Sequence, residues 1–450
     1  MNFRKFLESV NAPAVIKAQI PLSPNVQVLS QSLKAGDPEV QVYVVGGAVR
    51  DFLNFHFHSS AQRGFSPKDI DLTTNLSEEE ILKRLRTPQA QQAGIKVKEK
   101  ESVDTFGVVF ANVKGEDFEI APFRKDIGSA DGRRPDRVER GSIFDDAMRR
   151  DLTMNNLYYD FDNGQILDYN PNGQGIDDIK NGVARPVGNP FERFNEDKLR
   201  VLRLIRFFSR FNSGDIVQKL DPHTRDAIER YKNLQSFGIT PERIYMEFVA
   251  GIKQALNTAS FLQNLVSLDL MQTVFPGINV DIPGIKRLGN SKNIRVILAW
   301  LLRNNTNVPA TLIRLKYPSD ITNRVGFLLR LYNEMNIASH NPVQNVHALT
   351  KERDRYIDPK YTPELKQQMS ADIQRDIQEF SMVAGVDLDR FQHFATYQPP
   401  EINSKELIDK GLKGPALGQE QGRLKDLHYN QSFQDWIKKK NAQNPTTPLT

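Results

Sequence analysis

The sequence predicts an α+β protein in which a small mixed domain is followed by a mostly helical remainder. Between residues 40 and 165, short apolar runs typical of strands alternate with segments of helical periodicity. From Glu192 onward helical patterns dominate, and the turn-rich stretch Asp168–Pro190 separates the two regions. At 450 residues the chain is long enough for roughly two to four domains, each with its own core.

Each element of the mixed domain is predicted from a local pattern. Val42–Val45 is an apolar run typical of a buried strand, and the residues that follow, from Ala48 to Phe55, have helical spacing. A second helix is predicted over Ser77–Leu85, because Ser77 followed by Glu80 forms a capping box. The remaining predicted strands are Asp69–Thr73, Gly107–Val113 and Asp117–Pro122.

The helical region shows apolar residues at the spacing of amphipathic helices. Its predicted helices are Asp197–Phe211, Pro241–Ala255, Asn293–Arg303, Asn323–Met335 and Asp372–Val383.

Composition limits the class of protein. Hydrophobic residues make up 39% and charged residues 26% of the chain, as in an ordinary globular protein. The net charge of +5 and the pI near 9.0 favour an anionic partner. The lack of cysteine excludes disulfides and thiolate metal sites. No apolar run approaches the roughly 18 residues of a membrane span and no secretory signal is recognisable, so we expect a cytoplasmic enzyme without a membrane partner.

Two short motifs carry the chemistry of this sequence. Gly46 and Gly47 lie between a predicted strand and a predicted helix, where the lack of Cβ atoms lets backbone N–H groups approach an anion. Asp69 and Asp71 open the next strand, and their spacing points both carboxylates to one face. Either motif alone is explained by a tight turn or a solvated strand end. Together and in this order, they indicate Mg²⁺-dependent phosphoryl transfer.

The strings Gly46–Asp51 and Lys68–Asp71 resemble the signature of the class II tRNA nucleotidyltransferase/poly(A) polymerase family. Further matching stretches follow in the same order over roughly residues 30–250: Phe118–Arg124, Arg149–Leu157, Glu196–Phe207 and, more faintly, Thr240–Ile244. The resemblance implies a polymerase β-like nucleotidyltransferase head with a mixed sheet over residues 1–165. A helical neck over 166–255 and a helical, tRNA-binding body and tail over 256–450 would follow.

The resemblance also implies roles for residues of the head. Asp69 and Asp71 would hold Mg²⁺ as catalytic ligands, with Glu119 as a less general third carboxylate. The triphosphate would meet the glycine turn of Gly46 and Gly47.

Four further polar residues of the head are implied in nucleotide binding. Arg50 would add a guanidinium fork to the triphosphate. Arg150 would contact the nucleotide, Asp151 would lie near its ribose, and Asn155 would brace that position.

The neck carries an arginine ridge. Arg200, Arg203, Arg206 and Arg210 recur at three- and four-residue spacing and so line one helix face. The resemblance implies that Asp197 and Arg200 meet the nucleobase and that the ridge belongs to the nucleotide site. Arg210, further along the helix, is expected to contribute little.

Three functions remain open at this point. The first is template-independent addition of CCA to the 3′ end of tRNA from CTP and ATP. The charged segment Arg124–Arg140 resembles a loop of complete CCA-adding enzymes, and Asp104–Phe110 lacks the basic element of the poly(A) branch. The second is a bacterial-type poly(A) polymerase that adds A tracts to RNA, and the third is an inactive RNA-binding relative. The sequence leaves the oligomeric state open.

Overall fold

The computed structural model describes residues 12–58, 67, 70–98, 107–128, 137–336, 348–349, 351–353, 355–357, 360–386, 388–389, 391–392 and 400–443. The predicted ligand Asp69 and residues 129–136 of the charged segment Arg124–Arg140 lie outside these residues. The chain divides into two compact units, Met1–Pro276 and Gly277–Thr450. The finer division at residues 165 and 255 stays a prediction.

The first unit contains a mixed eight-stranded sheet with the order β1-β10-β9-β2-β3-β6-β5-β4. Strands β3 and β6 pair in parallel, and the other neighbours in the sheet are antiparallel. A separate hairpin joins β7 and β8. The strands are β1 (Ala14–Lys17), β2 (Val42–Val45), β3 (Asp71–Thr74), β4 (Ile95–Val97), β5 (Val109–Val113), β6 (Glu116–Pro122), β7 (Arg124–Ile127), β8 (Arg137–Arg140), β9 (Leu157–Asp160) and β10 (Gln165–Asp168).

Twelve α-helices are described in the first unit. They are α1 (Pro24–Lys34), α2 (Gly47–His58), α3 (Glu78–Leu85), α4 (Pro88–Gln92), α5 (Ile143–Met148), α6 (Gln174–Asn181), α7 (Pro190–Glu196), α8 (Arg200–Phe211), α9 (Pro222–Tyr231), α10 (Pro241–Gln254), α11 (Thr258–Ser267) and α12 (Met271–Val274). The predicted α+β class with a mixed sheet is therefore confirmed.

Local sequence explains why β2 and α3 form where they were predicted. Alternate residues of β2 lie on the two faces of the sheet, and Val44 and Val45 are both buried. Ser77 caps α3: its side chain accepts from the amide of Glu80, whose carboxylate accepts from the amide of Ser77. The predicted capping box is therefore present.

The start of the arginine-bearing helix differs from the prediction. The helix was predicted from Asp197, but α8 begins at Arg200. Asp197 has extended backbone angles, φ −143° and ψ 102°, and ends α7. Its carboxylate accepts from the amide of Leu199, a local hydrogen bond that competes with helix formation. Asp197 therefore lies in the turn between two helices.

The second unit is helical throughout its described part. The α-helices described there are α13 (Ile294–Leu302), α14 (Val308–Arg314), α15 (Ser319–Asn336), α16 (Pro363–Ala384), α17 (Ser404–Asp409) and α18 (Gly414–Gln443). Three of them correspond to the predicted helices of this region: α13 is one residue shorter than predicted at each end, and α15 and α16 are longer than predicted. Across the described ranges, no helix combines the length and the apolarity needed to cross a membrane.

A single glycine controls the packing of α10 against α11. A Cβ on Gly251 would lie 2.2 Å from the Phe261 ring. We expect Gly251→Ala to lower the free energy of unfolding by about 1–3 kcal/mol, because the added carbon overpacks the contact. Gly422→Ala in α18 is the matched control, since a Cβ there meets nothing within 4 Å. That change should be neutral or stabilising by up to ~1 kcal/mol. Urea unfolding followed by circular dichroism measures both, and equal effects would contradict the overpacking.

Candidate active site

The site begins at the turn between β2 and α2. Gly46 has φ +72°, a left-handed conformation that favours glycine, and Gly47 is the first residue of α2. A Cβ on Gly46 would lie 3.8 Å from Arg150 Nη1 and 4.0 Å from Asp71 Oδ2. A cation and a carboxylate therefore both face the glycine turn.

Two carboxylates share the open face of the sheet next to this turn. The parallel register of β3 and β6 places Asp71 beside Glu119, and register partners point to the same face. Phe118 and Ile120, on either side of Glu119, are buried, so Glu119 points to the opposite, exposed face. Asp69 lies outside the described residues. Within the described part of the chain, no group of three His, Cys, Asp or Glu side chains could hold a metal ion.

Arg150 is held by a buried acid, Asp146, for which no role was predicted from the sequence. Asp146 is fully buried and accepts from Arg150 Nη2 at 2.9 Å, from Arg149 Nε at 2.9 Å and from the Tyr158 hydroxyl at 2.7 Å. Burial alone would raise the pKa of Asp146, but the charges of Arg150 and Arg149 outweigh it and lower the pKa. Asp146 therefore remains a carboxylate and fixes Arg150 toward Gly46.

Arg50 is buried and engaged by protein groups. Its side chain is only 4% exposed and lies over the rings of Phe207 and Phe211, at 5.3 and 4.8 Å from their centroids. It donates from Nε to Asp51 Oδ1 at 2.8 Å and from Nη1 to Asn155 Oδ1 at 2.5 Å. Burial lowers the pKa of Arg50 and the charge of Asp51 opposes that effect. Its Nη2 lies 3.6 Å from where a Cβ of Gly47 would stand, so the group also borders the turn.

The predicted ribose group Asp151 is oriented by two hydrogen bonds. Its Oδ1 accepts from the amide of Leu152 at 2.9 Å and from Asn155 Nδ2 at 3.0 Å. Asn155 therefore contacts Asp151, and its role as a brace of the nucleotide position stays a prediction. The proximity of Asp151 to a ribose stays a prediction.

The turn between α7 and α8 presents the predicted base-reading residues. Asp197 is 5% exposed and forms ion pairs with Arg243 at 3.1 Å and with Arg203 at 3.5 Å. Arg200 instead donates from Nη1 to Glu196 at 2.7 Å and to the carbonyl of Arg193 at 2.9 Å. Asp197 and Arg200 therefore lie at one turn but are held by different partners.

Arg203 and Arg206 face α10. Glu247 accepts from Arg203 Nε at 3.0 Å and forms an ion pair with Arg206 at 2.9 Å. Arg206 also donates to Gln254 at 3.0 Å. These contacts join α8 to α10, and Arg203 also supports the turn through its ion pair with Asp197. Direct contact of either arginine with a nucleotide stays a prediction.

Arg193 connects the helices to the sheet-bearing part of the unit. It donates to the carbonyls of Arg149 and Arg150 at 2.6 and 2.8 Å and pairs with Glu196 at 2.5 Å. No role of Arg193 is predicted from the sequence, because no local pattern distinguishes it from a solvated arginine. Asp146 could have been found from its i, i+4 spacing to Arg150.

The chain matches a known family and named relatives in sequence. The family described as the poly(A) polymerase head domain matches residues 42–185. The chain is 31% identical to the CCA-adding enzyme of Lactobacillus johnsonii over 334 residues, which is 72% of this chain and 70% of that protein. It is also 31% identical to poly(A) polymerase I of Salmonella typhi over 296 residues, 63% of this chain but only 55% of the polymerase.

A solved structure extends the likeness of fold along almost the whole chain. The Bacillus stearothermophilus CCA-adding enzyme in complex with CTP matches with a TM-score of 0.54 at 21% identity. The match covers 94% of this chain and 99% of that one. Fold and site together define a nucleotidyltransferase. The chain belongs to the tRNA nucleotidyltransferase/poly(A) polymerase family.

Proposed function

We propose that this protein adds CCA to the 3′ end of tRNA, without a nucleic-acid template, from CTP and ATP. The observation that supports this choice is the extent of the match. The Lactobacillus johnsonii CCA-adding enzyme aligns over 70% of its own length, whereas the Salmonella typhi poly(A) polymerase aligns over 55%. Asp104–Phe110, in place of a basic element, supports the same choice.

Mg²⁺ is the proposed cofactor. Asp71 and Glu119 offer hard oxygen ligands from adjacent strands on one face, beside the anion-binding turn at Gly46. These residues fit an ion that takes one or two carboxylates and completes its shell with phosphate oxygens. Asp69 would supply a second aspartate. When bound, the ion would lower the pKa of the RNA 3′-hydroxyl and neutralise charge on the triphosphate.

The remaining residues of the site would bind and orient the nucleotide. Arg150, held by Asp146, would meet the phosphates together with the amide of Gly47. Asp151 would lie at the ribose. Asp197 and Arg200, at the turn between α7 and α8, would meet the nucleobase. The chain would bind tRNA largely through backbone and shape, since the enzyme has to accept every tRNA. A cytoplasmic location remains part of this proposal.

Incubation of the protein with labelled CTP, ATP or both and a tRNA that lacks its 3′ end tests the proposal. Two cytidines and one adenosine should be added when both nucleotides are present. A long A tract with ATP alone would instead indicate the poly(A) polymerase, which is the second candidate because a poly(A) polymerase is equally identical over its matched part. No incorporation by the folded protein would leave the inactive RNA-binding relative.

A further inference from the structure

Arg210 is joined to the predicted ribose group by a continuous chain of side-chain contacts. Arg210 Nη2 donates to Asp51 Oδ2 at 2.8 Å, and Asp51 Oδ1 accepts from Arg50 Nε at 2.8 Å. Arg50 Nη1 donates to Asn155 Oδ1 at 2.5 Å, and Asn155 Nδ2 donates to Asp151 Oδ1 at 3.0 Å. We call these five residues, Arg210, Asp51, Arg50, Asn155 and Asp151, the arginine–aspartate relay.

We propose that Arg210 is a positioning residue for Asp151 and that, through the relay, it controls the choice of ribonucleotides over deoxyribonucleotides. The inference rests on the proposed function, in which Asp151 lies at the ribose. It reverses the expectation from the sequence that Arg210 contributes little, because that expectation did not include the ion pair with Asp51.

Burial makes the inner part of the relay sensitive to its outer end. The side chain of Arg50 is 4% exposed and Asn155 is 8% exposed, whereas the side chains of Asp51 and Arg210 are 29% and 35% exposed. Water can reach Asp51 and Arg210 but has little access to Arg50 and Asn155. If Asp51 moves, water therefore cannot take its place beside the buried Arg50, and the orientation of the buried groups depends on Asp51.

The two carboxylate oxygens of Asp51 accept hydrogen bonds from two different helices. Oδ1 binds Arg50 of α2, the same helix, and Oδ2 binds Arg210 of α8. The Phe211 ring lies under both guanidinium groups, 4.8 Å from that of Arg50 and 5.3 Å from that of Arg210. When Arg210 is removed, the side chain of Asp51 keeps, among the described residues, the contact with Arg50 and can rotate toward water. The hydrogen bond from Arg50 to Asn155 then loses its fixed direction.

Asp151 receives its orientation from the last bond of the relay. Its Oδ1 has one backbone donor, the amide of Leu152, and one side-chain donor, Asn155. With Oδ1 held in this way, the other oxygen of Asp151, Oδ2, can accept a hydrogen bond from a ribose 2′-hydroxyl. A deoxyribonucleotide has no 2′-hydroxyl and leaves that oxygen unpaired. Loosening Asn155 should therefore weaken discrimination at the 2′ position more than it weakens the reaction itself.

The test is the ratio of kcat/KM for CTP to that for dCTP, measured by single-nucleotide incorporation on a truncated tRNA. We expect Arg210→Ala to lower this ratio about five- to twentyfold, because the variant should lose more kcat/KM with CTP than with dCTP. Arg210→Lys keeps a cation for Asp51 and should restore most of the ratio. Arg230→Ala in α9, whose guanidinium lies over Tyr231 outside the relay, is the matched control and should leave the ratio unchanged.

A double variant separates positioning from a general structural role. If Arg210 acts through Asp151, adding Arg210→Ala to Asp151→Ala should lower the ratio no further. Equal losses with CTP and dCTP in Arg210→Ala, in a protein with normal circular dichroism, would overturn the inference. If Arg210→Ala does not fold, an unchanged ratio in Asp51→Asn would overturn it instead. If Asp151→Ala keeps the wild-type ratio, Asp151 does not contact the ribose and the inference fails. Normal CCA addition by the wild type would still support the proposed function in that case. No incorporation by the wild type would overturn both.

Discussion

Asp71→Asn is expected to lower the turnover of nucleotide addition by about a hundred- to a thousandfold while leaving the fold and tRNA binding nearly intact. The substitution preserves shape and removes one negative charge from the face that Asp71 shares with Glu119. Amides are weaker ligands for Mg²⁺ than carboxylates, so the charge that balances the metal and the triphosphate is reduced. Steady-state incorporation of CTP onto a truncated tRNA gives the turnover, and gel-shift titration gives the affinity for tRNA.

The matched control is Asp117→Asn on β6. This aspartate is exposed and pairs with Lys98, so the substitution removes the same charge from the same sheet outside the site. It should leave turnover within about twofold of the wild type, since exposed ion pairs contribute little. If Asp71→Asn kept more than about a tenth of the wild-type turnover, a loss below ~1.4 kcal/mol, Asp71 would not be a metal ligand.

The strand and helices that carry the site could be predicted because each of them forms through interactions between residues that are close in the sequence. The strand Val42–Val45 has the predicted bounds, and the capping box at Ser77 is present. A continuous apolar run and a capping box each depend on residues that are close in the chain, so both are visible in a single sequence. The same holds for the glycine turn, whose positive φ at Gly46 follows from the need for a tight strand-to-helix junction.

The supports whose partners are distant in sequence could not be predicted. Arg243 lies 46 residues from Asp197, and Arg210 lies 159 residues from Asp51. Nothing local to either arginine distinguishes it from a solvated helix residue. The prediction that the helix begins at Asp197 was wrong for a related reason. The carboxylate is drawn into a turn by the amide of Leu199 and by Arg243, and the second of these is a tertiary contact.

Asp197→Ala is expected to reduce nucleotide selectivity as well as rate. The Watson–Crick edges of cytosine and adenine both present a ring-nitrogen acceptor beside an amino donor, whereas uracil and guanine present a ring N–H donor beside a carbonyl. A carboxylate accepts and a guanidinium donates, so in the proposed role Asp197 and Arg200 together would complement C and A and would oppose U and G. Sites that leave buried polar groups unpaired by the wrong substrate can discriminate by roughly 10⁴–10⁵. Arg200→Ala should act in the same direction.

The competing interpretation is that Asp197 only braces the helices, because its carboxylate pairs with Arg203 of α8 and Arg243 of α10. The two interpretations differ in what happens to the four nucleotides. Loss of a brace lowers incorporation of CTP, ATP, UTP and GTP by a common factor, whereas loss of a base-reading group lowers CTP and ATP and spares UTP and GTP. Arg243→Ala provides the comparison, since it removes a partner of Asp197 and keeps the carboxylate. Single incorporation from each nucleotide onto a truncated tRNA measures the factors. If Asp197→Ala still rejected UTP as strongly as the wild type, the base would be selected by residues other than those of the turn between α7 and α8.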